Sequence, residues 1–305
     1  MTLSDRLSGR AAGVCQSSPV SGHPPGVSGA DGVAARTSVS SSVPRLGRRG
    51  LAMLKRELTP RELAVVRSVA EFRFLTARQI ERLHFMPGGD RPMTRTARRV
   101  LERLADQRLL TRLERRIGGV RAGSASFVYT LGPVGQRLLD HTGPRQRRRE
   151  PSLGRLAHCL AIGDLFVTIS LAAQAGQVEL LDYQPEPGCW RRLPGMAGSE
   201  WLRPDLYVVL AEGRTEWHWF IEVDLGTEHA PALRRKCRQY QAYYHSGAEQ
   251  AQRGVFPRVA WLTTTVERAR RIQQVITGDR QLRAELFVVA PLDQAPGVLV
   301  PEDRS

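Results

Sequence analysis

Apolar residues recur at helical spacing from Leu58 to about Gln107, and the period then shortens to the alternation of strands. Thr59-Pro60 predicts a helix start, with Thr59 as cap and Pro60 in the first turn, followed by Leu63, Val66, Val69 and Ala70. Thr76 predicts the cap of a second helix carrying Ile80 and Leu83. Pro87-Gly88-Gly89-Asp90 reads as a loop, and a third helix is predicted from about Pro92 to Gln107 with Val100, Leu101 and Leu104 inward. Two strands, about Leu110–Ile117 and Ser126–Leu131, flank the basic, glycine-rich run Gly118-Gly119-Val120-Arg121-Ala122-Gly123. A fourth helix is predicted over about Pro133–His141.

Three helices, a strand, a glycine-rich tip, a second strand and a closing helix follow the order of a winged helix-turn-helix domain at 58–141. Thr142–Ser152 carries four arginines and two prolines and reads as a basic linker, 142–152. The pattern beyond it is α/β. Helices are predicted at about Leu153–Ala175, Glu228–His245 and Val266–Ile276. Strands are predicted at about Val178–Tyr183, Leu206–Leu210, Trp217–Val223, Pro257–Thr264 and Glu285–Ala290. A second domain over 153–292 with a tail at 293–305 completes an α+β chain. Residues 1–57 are read as a disordered basic tail, rich in Ser, Gly and Pro over the first 50 residues, and Met53 offers an alternative start.

Charge sharpens this division. Residues 51–150 hold 22 basic and 10 acidic side chains, a net of +12. Residues 151–305 hold 17 and 18, a net of −1. Lysine occurs only at Lys55 and Lys236, an arginine bias that a GC-rich genome explains, but such a bias would not spare one half of the chain. The basic half therefore predicts a polyanionic partner, double-stranded DNA. Cys15, Cys159, Cys189 and Cys237 show no metal-ligand spacing and read as reduced thiols of a cytoplasmic protein. No apolar run of about 20 residues and no signal core is evident, so no membrane partner is expected.

Two constellations carry candidate chemistry. In the third helix, Arg91, Arg95, Arg98 and Arg99 share a face opposite Val100 and Leu104, and Arg103 extends the basic series. Thr94 and Thr96 would add contacts there. The face lacks the Glu/Lys pairing of a solvated helix and suits a DNA groove. Arg112, Arg115, Arg116 and Arg121 flank the expected wing and would meet phosphates or the minor groove. The second constellation is a hairpin turning at Gly213-Arg214. That turn sets Asp205 across from Glu222 and puts Asp205, Tyr207, Val209, His218, Phe220, Glu222 and Asp224 on one face, with the opposite face packed into the core. Clustered carboxylates of this kind suit Mg2+, and a solvated strand end is the alternative reading.

Pro204-Asp205 followed by Glu222-Val223-Asp224 resembles the PD-(D/E)XK nuclease core, with Asp224 where that pattern has lysine. Together with Leu156-Ala157-His158-Cys159-Leu160-Ala161-Ile162-Gly163-Asp164 and Glu222–Glu228 before a basic, tyrosine-ended helix, the chain resembles the replication-relaxation family, associated with plasmid replication and mobilisation, over about 58–280. The resemblance implies a restriction-endonuclease-like second domain with Asp205 and Glu222 as Mg2+ ligands and catalytic groups, and Asp224, on the same hairpin face, is a further candidate ligand. Lys236, in the helix after the carboxylates, is the candidate for the displaced catalytic lysine, although helical rise leaves it about 12 Å from the helix start. His158 and Asp164 read as structural positions. The expected function is a DNA-binding accessory protein in plasmid or mobile-element replication, relaxation or transfer, working with relaxase or replication proteins. A Mg2+-dependent nicking endonuclease and a transcription regulator with an inactive C-terminal domain are the alternatives.

Overall fold

The structure is a computed structural model, and it describes residues 47–85, 94–117, 126–139, 151–193 and 200–300. The fold is mixed α and β. In the N-terminal unit, helix Pro60–Phe72 begins as the sequence dictates. The Thr59 hydroxyl accepts from Glu62 N–H while Glu62 reaches back to the Thr59 N–H, closing a capping box with Pro60 in the first turn. Strand β1 (Leu75–Thr76) leads into helix Ala77–His84, where Thr76 and Gln79 form a second box. Helix Arg95–Asp106 starts at Thr94, whose hydroxyl accepts from Ala97 N–H, so Thr94 serves as the cap rather than as an outward contact. Strands β2 (Leu110–Ile117) and β3 (Ser126–Leu131) pair antiparallel, and β1 adds to the far edge of β3. Helix Pro133–Leu138 follows.

The tail expected over 1–57 is corrected in part. Residues 48–57 form a helix, because Leu54 is buried and Leu51 and Leu58 pack beside it on the same core. Three apolar residues on one face are enough for docking, though not for a sequence-level signal. Residues 1–46 lie outside the described residues.

In the C-terminal unit, helix Leu153–Gln174 precedes β4 (Glu179–Pro185). A small hairpin, β5 (Arg191–Arg192) with β6 (Trp201–Leu202), then leads to β7 (Leu206–Glu212) and β8 (Thr215–Asp224). Helices Ala230–Ser246 and Ala248–Arg253, strand β9 (Arg258–Thr263), helix Val266–Thr277 and β10 (Phe287–Pro291) follow. The sheet order is β10-β9-β8-β7-β4, with β8, β9 and β10 parallel and β4, β7 and β8 antiparallel. The tail expected at 293–305 is also corrected. Ala295–Leu299 is a short helix with Ala295 and Leu299 buried, and the Trp219 indole donates to the Leu299 carbonyl at 2.9 Å.

The two units share one core. Leu75, Ile80, Leu101 and Leu138 of the first belong to the same apolar cluster as Phe166, Val208, Ile221 and Leu262 of the second. Helix Leu153–Gln174 is the seam. Phe166 sits 4.7 Å from Phe72 and 4.5 Å from Tyr183, ring centre to ring centre. The Gln79 amide donates to the Leu160 carbonyl at 2.8 Å and to Asp164 at 2.7 Å. A Cβ on Gly163 would lie 3.0 Å from the Leu75 side chain and 3.1 Å from that of Gln79, so a larger residue there would have to push these side chains aside. By length and composition this helix qualifies as a membrane span, against the expectation of no such run. Its apolar character is accounted for by ten residues buried between the units.

Candidate functional site

The arginine helix is built from the inside out. Ala97, Leu101 and Leu104 are buried, which fixes the rotation of helix Arg95–Asp106 and turns Arg95, Arg98 and Arg99 to solvent. Among the described residues, none of these three arginines pairs with a carboxylate. Arg103 does, forming an ion pair with the buried Glu62 of the capping box while 52% of its own side chain stays exposed. The Arg112 guanidinium lies over the Phe127 ring at 4.3 Å and is exposed. Arg115 and Arg116 fall on β2, but their side chains lie outside the described residues. Arg91 and Arg121 lie outside them entirely.

At the opposite side of the shared core, the hairpin register places Leu206 opposite Ile221 and Glu212 opposite Thr215, as the Gly213-Arg214 turn demands. The expected one-sided burial is corrected, because both faces of the sheet are covered. Leu206, Val208, Trp219 and Ile221 face helix Leu153–Gln174, while Tyr207, Phe220 and Trp261 face helices Ala230–Ser246 and Val266–Thr277. The carboxylates therefore end up inside. Asp205 is 8% exposed, Glu222 1% and Asp224 3%.

Buried carboxylates need donors, and each has them. Asp205 accepts from Val223 N–H at 2.8 Å and faces His158 Nε2 at 3.0 Å. Glu222 accepts from the Lys236 ammonium and the Tyr240 hydroxyl. Asp224 is gripped by the Arg268 fork at 2.7 and 3.2 Å and also accepts from Gly226 N–H. Lys236 reaches Glu222 because helix Ala230–Ser246 lies across the sheet face, so a mid-helix residue sits over the strand end. Rise along the helix was the wrong measure of that distance. Lys236 is also 5.7 Å from the Trp261 ring.

The protonation states follow. Burial pushes the Glu222 carboxyl up to about 8, against the pull of Lys236. Burial disfavours the Lys236 ammonium, but Glu222 and Asp205 outweigh it and its pKa is raised. The bond to Asp205 raises the His158 imidazole above its ordinary value, against burial. Burial likewise raises Tyr240. The members most open to solvent are His158, with 31% of its side chain exposed, and Lys236, with 21%.

These residues do not fit a resident Mg2+. The oxygens of Asp205, Glu222 and Asp224 are each bonded to a protein donor, and Asp224 is drawn away to Arg268. Among the described residues no three His, Cys, Asp or Glu side chains converge on a point that could hold a metal. A cation would have to displace Lys236 and His158 together. Asp164, by contrast, has the structural task of holding Gln79. Sequence reasoning missed His158, Tyr240 and Arg268 as partners of the carboxylates. They and Lys236 lie 14 to 47 positions away from the groups they bond, across elements whose packing no local pattern encodes.

A chain with a basic helix–strand unit fused through a shared core to a mixed sheet of buried ion pairs is an α+β protein. The sequence profile of the replication-relaxation family matches residues 66–259, and the chain belongs to that family. No curated protein and no solved structure gives a significant match.

Proposed function

We propose that this protein is a DNA-binding accessory factor of plasmid or mobile-element replication or relaxation, whose N-terminal unit is a winged helix-turn-helix that docks on duplex DNA. Family membership supports the biological setting. The observation that carries the docking is the outward face of Arg95, Arg98 and Arg99 on a helix fixed by Ala97, Leu101 and Leu104. These three guanidiniums are exposed and have no carboxylate partner among the described residues. A helix in the major groove uses arginine on guanine edges and phosphates. The helix order, and the strand order β1-β3-β2 beside it, support the winged reading. Relaxase or replication proteins are the partners this role implies.

The bond from Lys236 to Glu222 favours a second reading, a metal-dependent endonuclease whose lysine has moved to the following helix. The neutralised carboxylates argue for a binding role instead. The two separate in one experiment. Supercoiled plasmid with Mg2+ or Mn2+ should remain uncut by the wild type, at a level equal to Glu222→Ala. Arg95→Ala with Arg99→Ala should weaken duplex binding by about 1–3 kcal/mol for each guanine edge that arginine no longer bonds. Metal-dependent nicking that disappears in Glu222→Ala would establish the endonuclease, and undiminished duplex affinity in the arginine variants would remove the docking assignment.

A further inference from the structure

On the face of the sheet away from the N-terminal unit, a concavity of about 490 Å3 runs between helix Ala230–Ser246 and the β5–β6 hairpin. Leu193, Pro231 and Ala242 give it apolar walls, and Arg234, Arg235 and Arg238 stand along it. Positions 231, 235, 238 and 242 fall on one stripe of the helix, with Arg234 flanking it. Like charges at these spacings repel, and a helix that met only water would intersperse them with carboxylates. The nearby carboxylates are already engaged. Asp279 accepts from Arg238 at 2.9 Å, and Glu200 on the opposite wall accepts from Gln239 at 2.6 Å. Among the described residues Arg234 and Arg235 are exposed and form no ion pair. Composition does not explain the cluster, since residues 151–305 carry 17 basic and 18 acidic side chains.

A concavity of this volume is in the range that takes a nucleotide-sized unit. Cationic side chains beside an apolar surface suit a flexible strand, whose phosphates pair with arginine while its bases leave water. We propose that this groove binds a single DNA strand, with Arg234 and Arg235 on its phosphates. The choice of DNA rests on the function proposed above, whereas the single-strand preference rests on the groove alone. A protein gripping duplex at one face and one strand at another is suited to sites where the helix is opened.

The test is binding of the full chain to a labelled single-stranded oligonucleotide, and to the same sequence as duplex, across a salt series. Arg234→Ala with Arg235→Ala should weaken single-strand binding and flatten its logarithmic salt slope by about 1.4, at about 0.7 per phosphate neutralised. Duplex binding should stay at wild-type strength. Arg234→Lys with Arg235→Lys should retain most of the slope, because it keeps the charges. An unchanged slope in the alanine variant would overturn the proposal, as would an equal loss on duplex or displacement of the oligonucleotide by a free mononucleotide at matching concentration. Loss of duplex binding in the Arg95 and Arg99 variants is scored separately, so the two assignments fail independently.

Discussion

The arginine helix of the N-terminal unit and the buried acidic residues of the C-terminal unit treat charge in opposite ways. Helix Arg95–Asp106 turns Arg95, Arg98 and Arg99 outward with no carboxylate partner among the described residues. The C-terminal unit instead buries Asp205, Glu222, Asp224 and Glu249 and supplies each with a cation, a donor or both. Glu249, fully buried, is held by Arg191 and Arg253 at 3.0 Å each and by the Tyr243 hydroxyl at 2.6 Å. Charge left unpaired on a surface contributes little to stability and is available to a polyanion. Charge paired in the interior is costly to disturb and has no external partner. On the function proposed above, the first arrangement serves recognition and the second architecture, even though the acidic residues are the more conspicuous chemical motif in the sequence.

The largest effect should come from breaking one buried pair. Lys236→Ala leaves Glu222 with only Tyr240 in a dry site, and loss of one partner of a buried pair costs about 3–5 kcal/mol. Replacing both, Lys236→Met with Glu222→Gln, should recover most of that loss in denaturant unfolding. Arg99→Ala should cost under about 0.5 kcal/mol in the same assay. Equal losses at Lys236 and Arg99 would erase the distinction between the two halves.

The seam comes next. Gln79→Leu removes the amide that caps its own helix and bonds both the Leu160 carbonyl and Asp164, leaving the buried Leu160 carbonyl without that donor. A cost of about 2–3 kcal/mol is expected. Because the apolar core is continuous, unfolding should remain one transition. Two resolved transitions in wild-type calorimetry would show that the halves are independent.

A smaller effect should appear with pH. Burial, aided by Arg61, holds the His84 imidazole down to about 4, and Nε2 lies 3.0 Å from Ser68 Oγ. The folded state therefore prefers neutral His84. That contribution is full above the unfolded value near 6.5 and is lost as pH falls toward 4, by on the order of 2 kcal/mol for a half-buried ring. His84→Gln should flatten this part of the stability profile. An unaltered acid limb would rule His84 out as its source.

Much of the scaffold was legible because its signals are local. Thr59-Pro60, Thr76 and Gly213-Arg214 state caps and a turn within a few residues, and the turn sets the register that pairs Leu206 with Ile221. The partners of the carboxylates were not legible. His158, Lys236, Tyr240 and Arg268 reach the strand ends from three helices, and only tertiary packing decides which helix face meets the sheet. Alternation along the hairpin identified the two faces but not that both would be covered. The helix at Arg48–Glu57 and the one at Ala295–Leu299 were missed for a related reason, since each is short and held by one or two buried residues.

The most direct test of the central claim is the salt dependence of duplex binding by the full chain, compared with Arg95→Ala, Arg98→Ala and Arg99→Ala combined. Each phosphate neutralised adds about 0.9 to the logarithmic slope on duplex DNA, so a variant that neutralises three fewer should show a slope flatter by up to about 2.7, with unfolding unchanged. A slope identical to wild type would contradict the assignment of this helix as the face that meets DNA.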